Sequence, residues 1–104
     1  MYKLIAIDLD GTLLNSYGEV TNRNKDAIKK AMDAGIYVVL CSGRIGSSVE
    51  NLANEVGASS YLIGGNGALI WNKDKKEKLY NKFMDKHLAL KIIQICEENS
   101  IYYS

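Results

Sequence analysis

Five residues near the amino terminus, Asp8-Leu9-Asp10-Gly11-Thr12, place two carboxylates and a glycine directly after a short apolar run. On an extended chain, side chains two positions apart project to the same side, so we expect Asp8 and Asp10 to face a common point. Gly11 would let the backbone turn close to a ligand. One carboxylate could serve as a nucleophile and the other as a proton donor and acceptor, with a cation offsetting their repulsion. The alternative is an Asp-Gly turn that only closes a strand, where any acidic residue would serve.

The elements that must position these residues follow an α/β pattern. Apolar, β-branched runs too short for helices predict buried strands of the kind found in parallel sheets, at residues 3–7, 36–40 and 61–63. Apolar residues at helical spacing predict crossover helices between them, at residues 22–34 and 45–55. Thr21 or Asn22 can cap the first helix, whose apolar face is Ala27, Ile28, Ala31 and Met32. The order predicts a partial Rossmann-like parallel sheet of three strands.

The remaining segments carry other signals. Turn-forming residues between apolar flanks predict a hairpin or loop at residues 12–20. Two short runs around a charged turn predict a β-hairpin, at residues 68–71 and 78–80. A last helix is predicted for residues 85–99, with Leu88, Ile92, Ile95 and Ala89, Ile93, Cys96 as its inner rows, and residues 101–104 resemble the opening of a strand.

Composition excludes several classes of function. Thirteen Lys and Arg against twelve Asp and Glu leave a net charge of +1 in 104 residues, which gives no support to electrostatic nucleic-acid binding. No apolar run approaches the roughly 20 residues that span a bilayer, and the first residues lack a signal-peptide pattern. Cys41 and Cys96 form neither a disulfide framework nor a metal motif. We therefore expect a cytoplasmic protein that binds no nucleic acid and no membrane.

Three motifs together resemble the haloacid dehalogenase superfamily. The run Asp-Leu-Asp-Gly-Thr-Leu-Leu after an apolar amino-terminal strand is similar to its first motif, and Val-Val-Leu-Cys-Ser-Gly-Arg is similar to its second, a Ser or Thr at a strand end. The residues Ile63-Gly64-Gly65-Asn66-Gly67-Ala68 look like the third-strand loop of its Cof-like phosphatase branch, and residues 21–35 match that branch as well. The resemblance covers essentially the whole chain, in the right order and spacing.

This resemblance implies a Mg²⁺-dependent phosphatase of small phosphomonoesters, with sugar phosphates as the expected substrates. It makes Asp8 the nucleophile that forms an aspartyl-phosphate and Asp10 the acid and then the base. The implied Mg²⁺ ligands are the Asp8 carboxylate and the Asp10 main-chain carbonyl. The implied phosphate-binding groups are the Ser42 hydroxyl and main-chain N–H groups of Leu9, Asp10, Gly11 and Gly43. Phosphoryl transfer requires mostly positioning and charge neutralisation, which such groups provide.

Two further residues have alternative explanations. Arg44, expected at the opening of the second helix, could reach substrate, but it could instead cap that helix or pair with Glu50. Asn66 lies between glycines, where a tight turn needs a left-handed backbone, and it could also face the active cleft. Both remain candidate substrate-binding residues.

The resemblance also concerns the arrangement of domains. Complete members of this branch are more than twice as long, and after a cap domain they supply a Lys and an acidic loop that complete the site. By this comparison residues 1–81 are the first half of the core with its hairpin, and residues 82–104 begin the cap. The alternative function is a catalytically inactive fragment that acts as a binding or assembly module. We also expect self-association, since without further strands residues 3–7 form an exposed sheet edge.

Overall fold

A five-stranded sheet forms the centre of the fold, and its strands lie side by side in sequence order. The computed structural model describes residues 1–103. The strands are β1 (Leu4–Asp8), β2 (Tyr37–Cys41), β3 (Tyr61–Gly64), β4 (Leu69–Asn72) and β5 (Glu77–Asn81). The first three are parallel, and β4 and β5 add to β3 in antiparallel orientation. The predicted α/β class and parallel three-stranded unit are confirmed, and the predicted hairpin extends the same sheet.

Within residues 1–103, three α-helices accompany the sheet: α1 (Asn22–Asp33), α2 (Ser47–Val56) and α3 (Lys86–Glu98). The α1 helix begins where the Thr21 hydroxyl accepts a hydrogen bond from the Asn24 N–H at 3.3 Å, as its sequence predicts. The α3 helix begins in the same manner, because the Asp85 carboxylate accepts from the N–H groups of His87 and Leu88. The crossovers through α1 and α2 make the parallel pairing of the first three strands possible.

The core lies between the sheet and its two crossover helices. The side chains of Leu9, Leu40 and Leu62 are fully buried; Leu40 and Leu62 belong to β2 and β3, and Leu9 follows β1 directly. Helix α2 contributes Val49, Ala53 and Val56, and α1 contributes Ile28, with Ala31 and Met32 half-buried. Ala27 was expected on the apolar face of α1 but is exposed. The covered face of α1 is therefore narrower than predicted.

The apolar sequence of β1 predicts a buried strand, but β1 forms the exposed sheet edge that is also expected for residues 3–7. It is an edge of the sheet within residues 1–103, paired on one side with β2. Leu4 is 54% exposed and Ile5 is 39% exposed, and Ala6 is exposed as well. The apolar sequence predicts a strand correctly, but within the described residues no further strand or helix covers it.

Two other segments differ from the predictions. Helix α2 begins at Ser47 rather than at residue 45, because Gly46 has φ +72° and ψ −147°, which no helix accommodates. Residues 101–103 form no strand: Ser100 has φ +53°, and the Ile101 N–H donates to the Cys96 carbonyl at 2.8 Å, so the chain folds back on the end of α3. Ser104 lies outside the described residues.

Helix α3 does not bury the rows predicted as its inner face. Leu88, Ile92 and Ile95 are exposed, and the parallel row of Ala89, Ile93 and Cys96 is half-buried. The assignment of residues 82–104 to the start of a cap stays a prediction. No helix within residues 1–103 is both long enough and apolar enough to cross a membrane.

Candidate active site

The first motif forms a tight turn at the carboxyl end of β1. Leu9 is fully buried, whereas Asp8 and Asp10 on either side of it are exposed, which is the alternation expected from the sequence. The turn is closed by a hydrogen bond from the Leu14 N–H to the Leu9 carbonyl at 3.0 Å. Gly11 has φ +78°, a left-handed conformation that residues with a side chain rarely adopt. The core therefore anchors Leu9 and turns both carboxylates toward solvent.

Thr12 holds the first carboxylate. Its hydroxyl donates to Asp8 Oδ2 at 3.1 Å, which leaves the other carboxylate oxygen, Oδ1, without that constraint. Sequence reasoning gave Thr12 no role of its own. The available signal was its place in the same motif, four residues after Asp8, where a tight turn can bring the two side chains together.

Ser42 lies beside this turn at the end of β2. Asp8 is in register with Cys41, the residue before Ser42. Ser42 is only 4% exposed, and its hydroxyl oxygen accepts from the Arg44 N–H at 3.0 Å. A serine hydroxyl can donate one hydrogen bond while it accepts another. The Ser42 hydroxyl therefore keeps a proton that it can donate, and its role toward phosphate stays a prediction.

The loop after β3 is joined to the loop after β2 by main-chain hydrogen bonds. Its Gly65 and Asn66 N–H groups donate to the carbonyls of Arg44 (3.2 Å) and Ser42 (3.1 Å), respectively. Asn66 has φ +54°, so the predicted left-handed turn is present. The Asn66 side chain lies against Gly43, since a Cβ built on Gly43 would be 3.1 Å from Asn66 Oδ1. Asn66 therefore stands at the site, while its role in substrate binding stays a prediction.

Arg44 is in the loop between β2 and α2, not at the opening of the helix. It neither caps α2 nor pairs with Glu50. Instead, its Nε donates to Asp10 Oδ2 at 2.9 Å and its Nη2 donates to Asp10 Oδ1 at 2.5 Å. Hydrogen bonding to Asp10, followed by the negative charge of that carboxylate, raises the pKa of Arg44 above its usual value. Both side chains are about half exposed, so solvent screens the attraction between them.

Glu50 has a different partner from the one considered in the sequence. Its Oε1 accepts from the indole Nε1–H of Trp71 at 2.7 Å. Trp71 is 6% exposed, and its ring lies so close to Gly64 that a Cβ built there would be 2.8 Å from a ring carbon. The same Cβ would be 2.8 Å from the Arg44 carbonyl. Only glycine fits at residue 64 without displacing a backbone atom and a buried ring.

The oxygen atoms at the site are of the type that binds Mg²⁺, but few of them are available as ligands. Mg²⁺ prefers oxygen ligands and is commonly bound through one or two carboxylates, the substrate phosphate and water. Asp8 offers a carboxylate oxygen free of Thr12, and Asp10 offers its main-chain carbonyl, whereas both side-chain oxygens of Asp10 are bound by Arg44. No cluster of three or more His, Cys, Asp or Glu side chains suited to a metal is present within residues 1–103.

Comparison with known proteins identifies the family. The sequence model of the haloacid dehalogenase-like hydrolases matches residues 5–104. The phosphatase YwpJ of Bacillus subtilis is 40% identical over 102 residues, which cover 97% of this chain. The chain belongs to the haloacid dehalogenase-like hydrolase family, as its three motifs predict.

Solved structures agree with this assignment. A haloacid dehalogenase-like hydrolase from Bacteroides thetaiotaomicron superposes with a TM-score of 0.85 at 33% identity, over 96% of this chain and 39% of that one. Another from Bacillus subtilis gives a TM-score of 0.82 at 37% identity, over 94% of this chain and 34% of that one. The chain spans 35% of the length of YwpJ. It therefore corresponds to about a third of each of these relatives.

Proposed function

We propose that these residues serve the Mg²⁺-dependent hydrolysis of small phosphomonoesters through an aspartyl-phosphate, as in the Cof-like branch that the motifs resemble. The observation that carries the proposal is the pair of exposed carboxylates, Asp8 and Asp10, on either side of the buried Leu9 and beside Ser42. Family membership supports the hydrolase class, and the arrangement of these side chains supports the particular chemistry.

The chemistry divides between the two carboxylates. The free oxygen of Asp8 attacks phosphorus, the bond to the leaving oxygen breaks, and Asp10 gives that oxygen its proton. In the second step water attacks the phosphorus of the aspartyl-phosphate and passes its proton to Asp10, which releases phosphate and restores the Asp8 carboxylate. The Ser42 hydroxyl and the main-chain N–H groups of Leu9, Asp10, Gly11 and Gly43 hold the phosphoryl oxygens.

Mg²⁺ would be held by the Asp8 carboxylate and the Asp10 carbonyl, and when bound it would supply positive charge against the phosphate dianion. In this proposal the oxygen of Asp8 that is free of Thr12 is the attacking atom. Thr12 would fix the other oxygen and so limit rotation of the carboxylate.

The name of one relative supports a proposal for the class of substrate. A Bacillus subtilis protein, YcsE, is 46% identical over 72 residues and is named 5-amino-6-(5-phospho-D-ribitylamino)uracil phosphatase. That substrate is the phosphate ester of a sugar-derived alcohol. We propose that the substrate of this protein is a phosphorylated sugar or polyol. We also propose that the protein acts in the cytoplasm.

A second function rests on a different observation. Arg44 occupies both side-chain oxygens of Asp10, and β1 presents an unpaired apolar edge within residues 1–103. These features would also suit a catalytically inactive fragment that acts as a binding or assembly module.

The two functions can be separated with p-nitrophenyl phosphate and Mg²⁺, at protein concentrations high enough to see a first turnover. We expect nitrophenolate release by the native protein and none by Asp8→Asn. Asp26→Asn is the matched control, because it removes an exposed carboxylate on α1 far along the chain from the motif. Equal release by all three proteins would indicate a contaminant and leave the module as the better description.

We also propose self-association through the β1 edge. Exposed, uncharged Leu4, Ile5 and Ala6 next to unpaired main-chain groups favour pairing with a second copy. Light scattering at micromolar concentrations should show dimers or larger species. Ile5→Lys should shift the distribution toward monomer, whereas Tyr17→Lys, on an exposed loop, should not. A monomer throughout this concentration range in the native protein would contradict the proposal.

A further inference from the structure

Arg44 forms a bidentate contact with Asp10 that restricts the orientation of the carboxylate. Its Nε and Nη2 each donate to a different oxygen of Asp10, at 2.9 and 2.5 Å. Paired donors of this kind fix the plane of a carboxylate as well as its position. Without them, the Asp10 side chain, which is 60% exposed, would be free to sample other rotamers.

The backbone of Arg44 is itself held from two sides. Its N–H donates to the buried Ser42 hydroxyl at 3.0 Å, and its carbonyl accepts from the Gly65 N–H at 3.2 Å. Gly64 is packed against the same carbonyl, since any Cβ there would come within 2.8 Å of it. The chain of contacts thus runs from the β3 loop through Arg44 to Asp10.

We propose that Arg44 is a positioning residue that holds the Asp10 carboxylate in place for proton transfer, and that the Gly64–Gly65 loop sets the position of Arg44. The inference rests on the proposed function for its catalytic meaning. It differs from the sequence-based expectation that Arg44 binds substrate, because here the guanidinium acts through Asp10. Two of the five N–H donors of the guanidinium bind that carboxylate. These two, on Nε and Nη2, lie along one edge of the planar group.

The contact can be tested on the resting protein by NMR. The side-chain carboxyl carbon of Asp10 should change its chemical shift in Arg44→Gln, and the Arg44 Nε–H signal should change in Asp10→Asn. Arg23→Gln is the matched control, since Arg23 lies exposed on α1. An Asp10 carboxyl signal that is the same in Arg44→Gln and Arg23→Gln would overturn the proposal. Because this measurement needs no catalysis, it can succeed even where the proposed function fails.

Single-turnover rates test the catalytic meaning. Arg44→Gln should slow the release of an alkoxide from an alkyl phosphate at least tenfold more than the release of nitrophenolate, because only the alkoxide depends on a proton from Asp10. The apparent substrate affinity should change little, and Arg44→Lys, which keeps the charge, should restore part of the loss. Equal losses on both substrates with weakened affinity would mean that Arg44 acts on the phosphate and would overturn the proposal.

Discussion

Residues 1–104 on their own are expected to hydrolyse p-nitrophenyl phosphate far more slowly than the usual enzyme range of about 1–1000 s⁻¹, by orders of magnitude. Asp8 and Asp10 both repel a phosphate dianion, and the positive fork of Arg44 is already bound to Asp10. Within residues 1–103 no third acidic or imidazole ligand joins these carboxylates in a metal cluster. Mg²⁺ gives up its water reluctantly, so two oxygen ligands should hold it weakly.

This expectation is measured by progress curves at several Mg²⁺ concentrations. A fusion to the carboxy-terminal part of a curated relative would supply the Lys and the acidic loop that the family resemblance implies. Hydrolysis that depends on Mg²⁺ and on Asp8 should then rise by orders of magnitude. Fast turnover by residues 1–104 alone, abolished by Asp8→Asn, would show that the residues described here already suffice.

Asp10→Asn is expected to trap the phosphoryl group on Asp8 when the leaving group is good. Nitrophenolate leaves without a proton, so the first step should proceed, but water would have no base in the second step. General acid–base catalysis contributes about 10²–10⁴-fold, so the second step should slow by a factor in this range. With an alkyl phosphate the first step should slow as well, and no adduct should accumulate.

The measurement is acid quenching followed by intact mass, in a form of the protein that turns over, such as the fusion. Asp10→Asn should show a burst of nitrophenolate approaching one equivalent and a persistent phosphoryl adduct. Asp26→Asn should behave as the native protein does. Adduct of equal amount from the alkyl and the nitrophenyl phosphate would show that Asp10 is not the acid of the first step.

The sequence predicts the strands and helices well because local signals determine them. The apolar runs, the Thr21 and Asp85 caps and the alternation around Leu9 each depend on neighbouring residues, and each agrees with the structure. The exposure of β1 does not follow from its local sequence and was expected only from its place at the edge of the sheet. An apolar strand has the same local pattern at an edge as in the middle of a sheet, and only its neighbours in space decide its exposure.

The proximity of Asp8 and Ser42 was predictable from the sequence, but the contacts of Arg44 were not. Asp8 ends β1 and Ser42 directly follows β2, so their proximity follows from the parallel order. The partner of Arg44 could not be predicted from the sequence. Glu50 is close to Arg44 in sequence, whereas Asp10, the actual partner, is 34 residues away. A helix beginning at residue 45 would have favoured the local partner. Gly46 delays that helix and leaves Arg44 in a loop from which it reaches Asp10.

The packing of Trp71 makes this side chain an intrinsic fluorescence probe of the loops around it. It is the one tryptophan in the sequence, it is nearly buried, and its ring contacts Gly64 beside the Arg44 carbonyl. Indole emission responds to the polarity around the ring and to nearby hydrogen-bonding groups, here including Glu50. A rearrangement of the loop that supports Arg44 would therefore change the fluorescence of the unlabelled chain. Because all of the indole emission comes from one side chain, that signal can be assigned without further substitution.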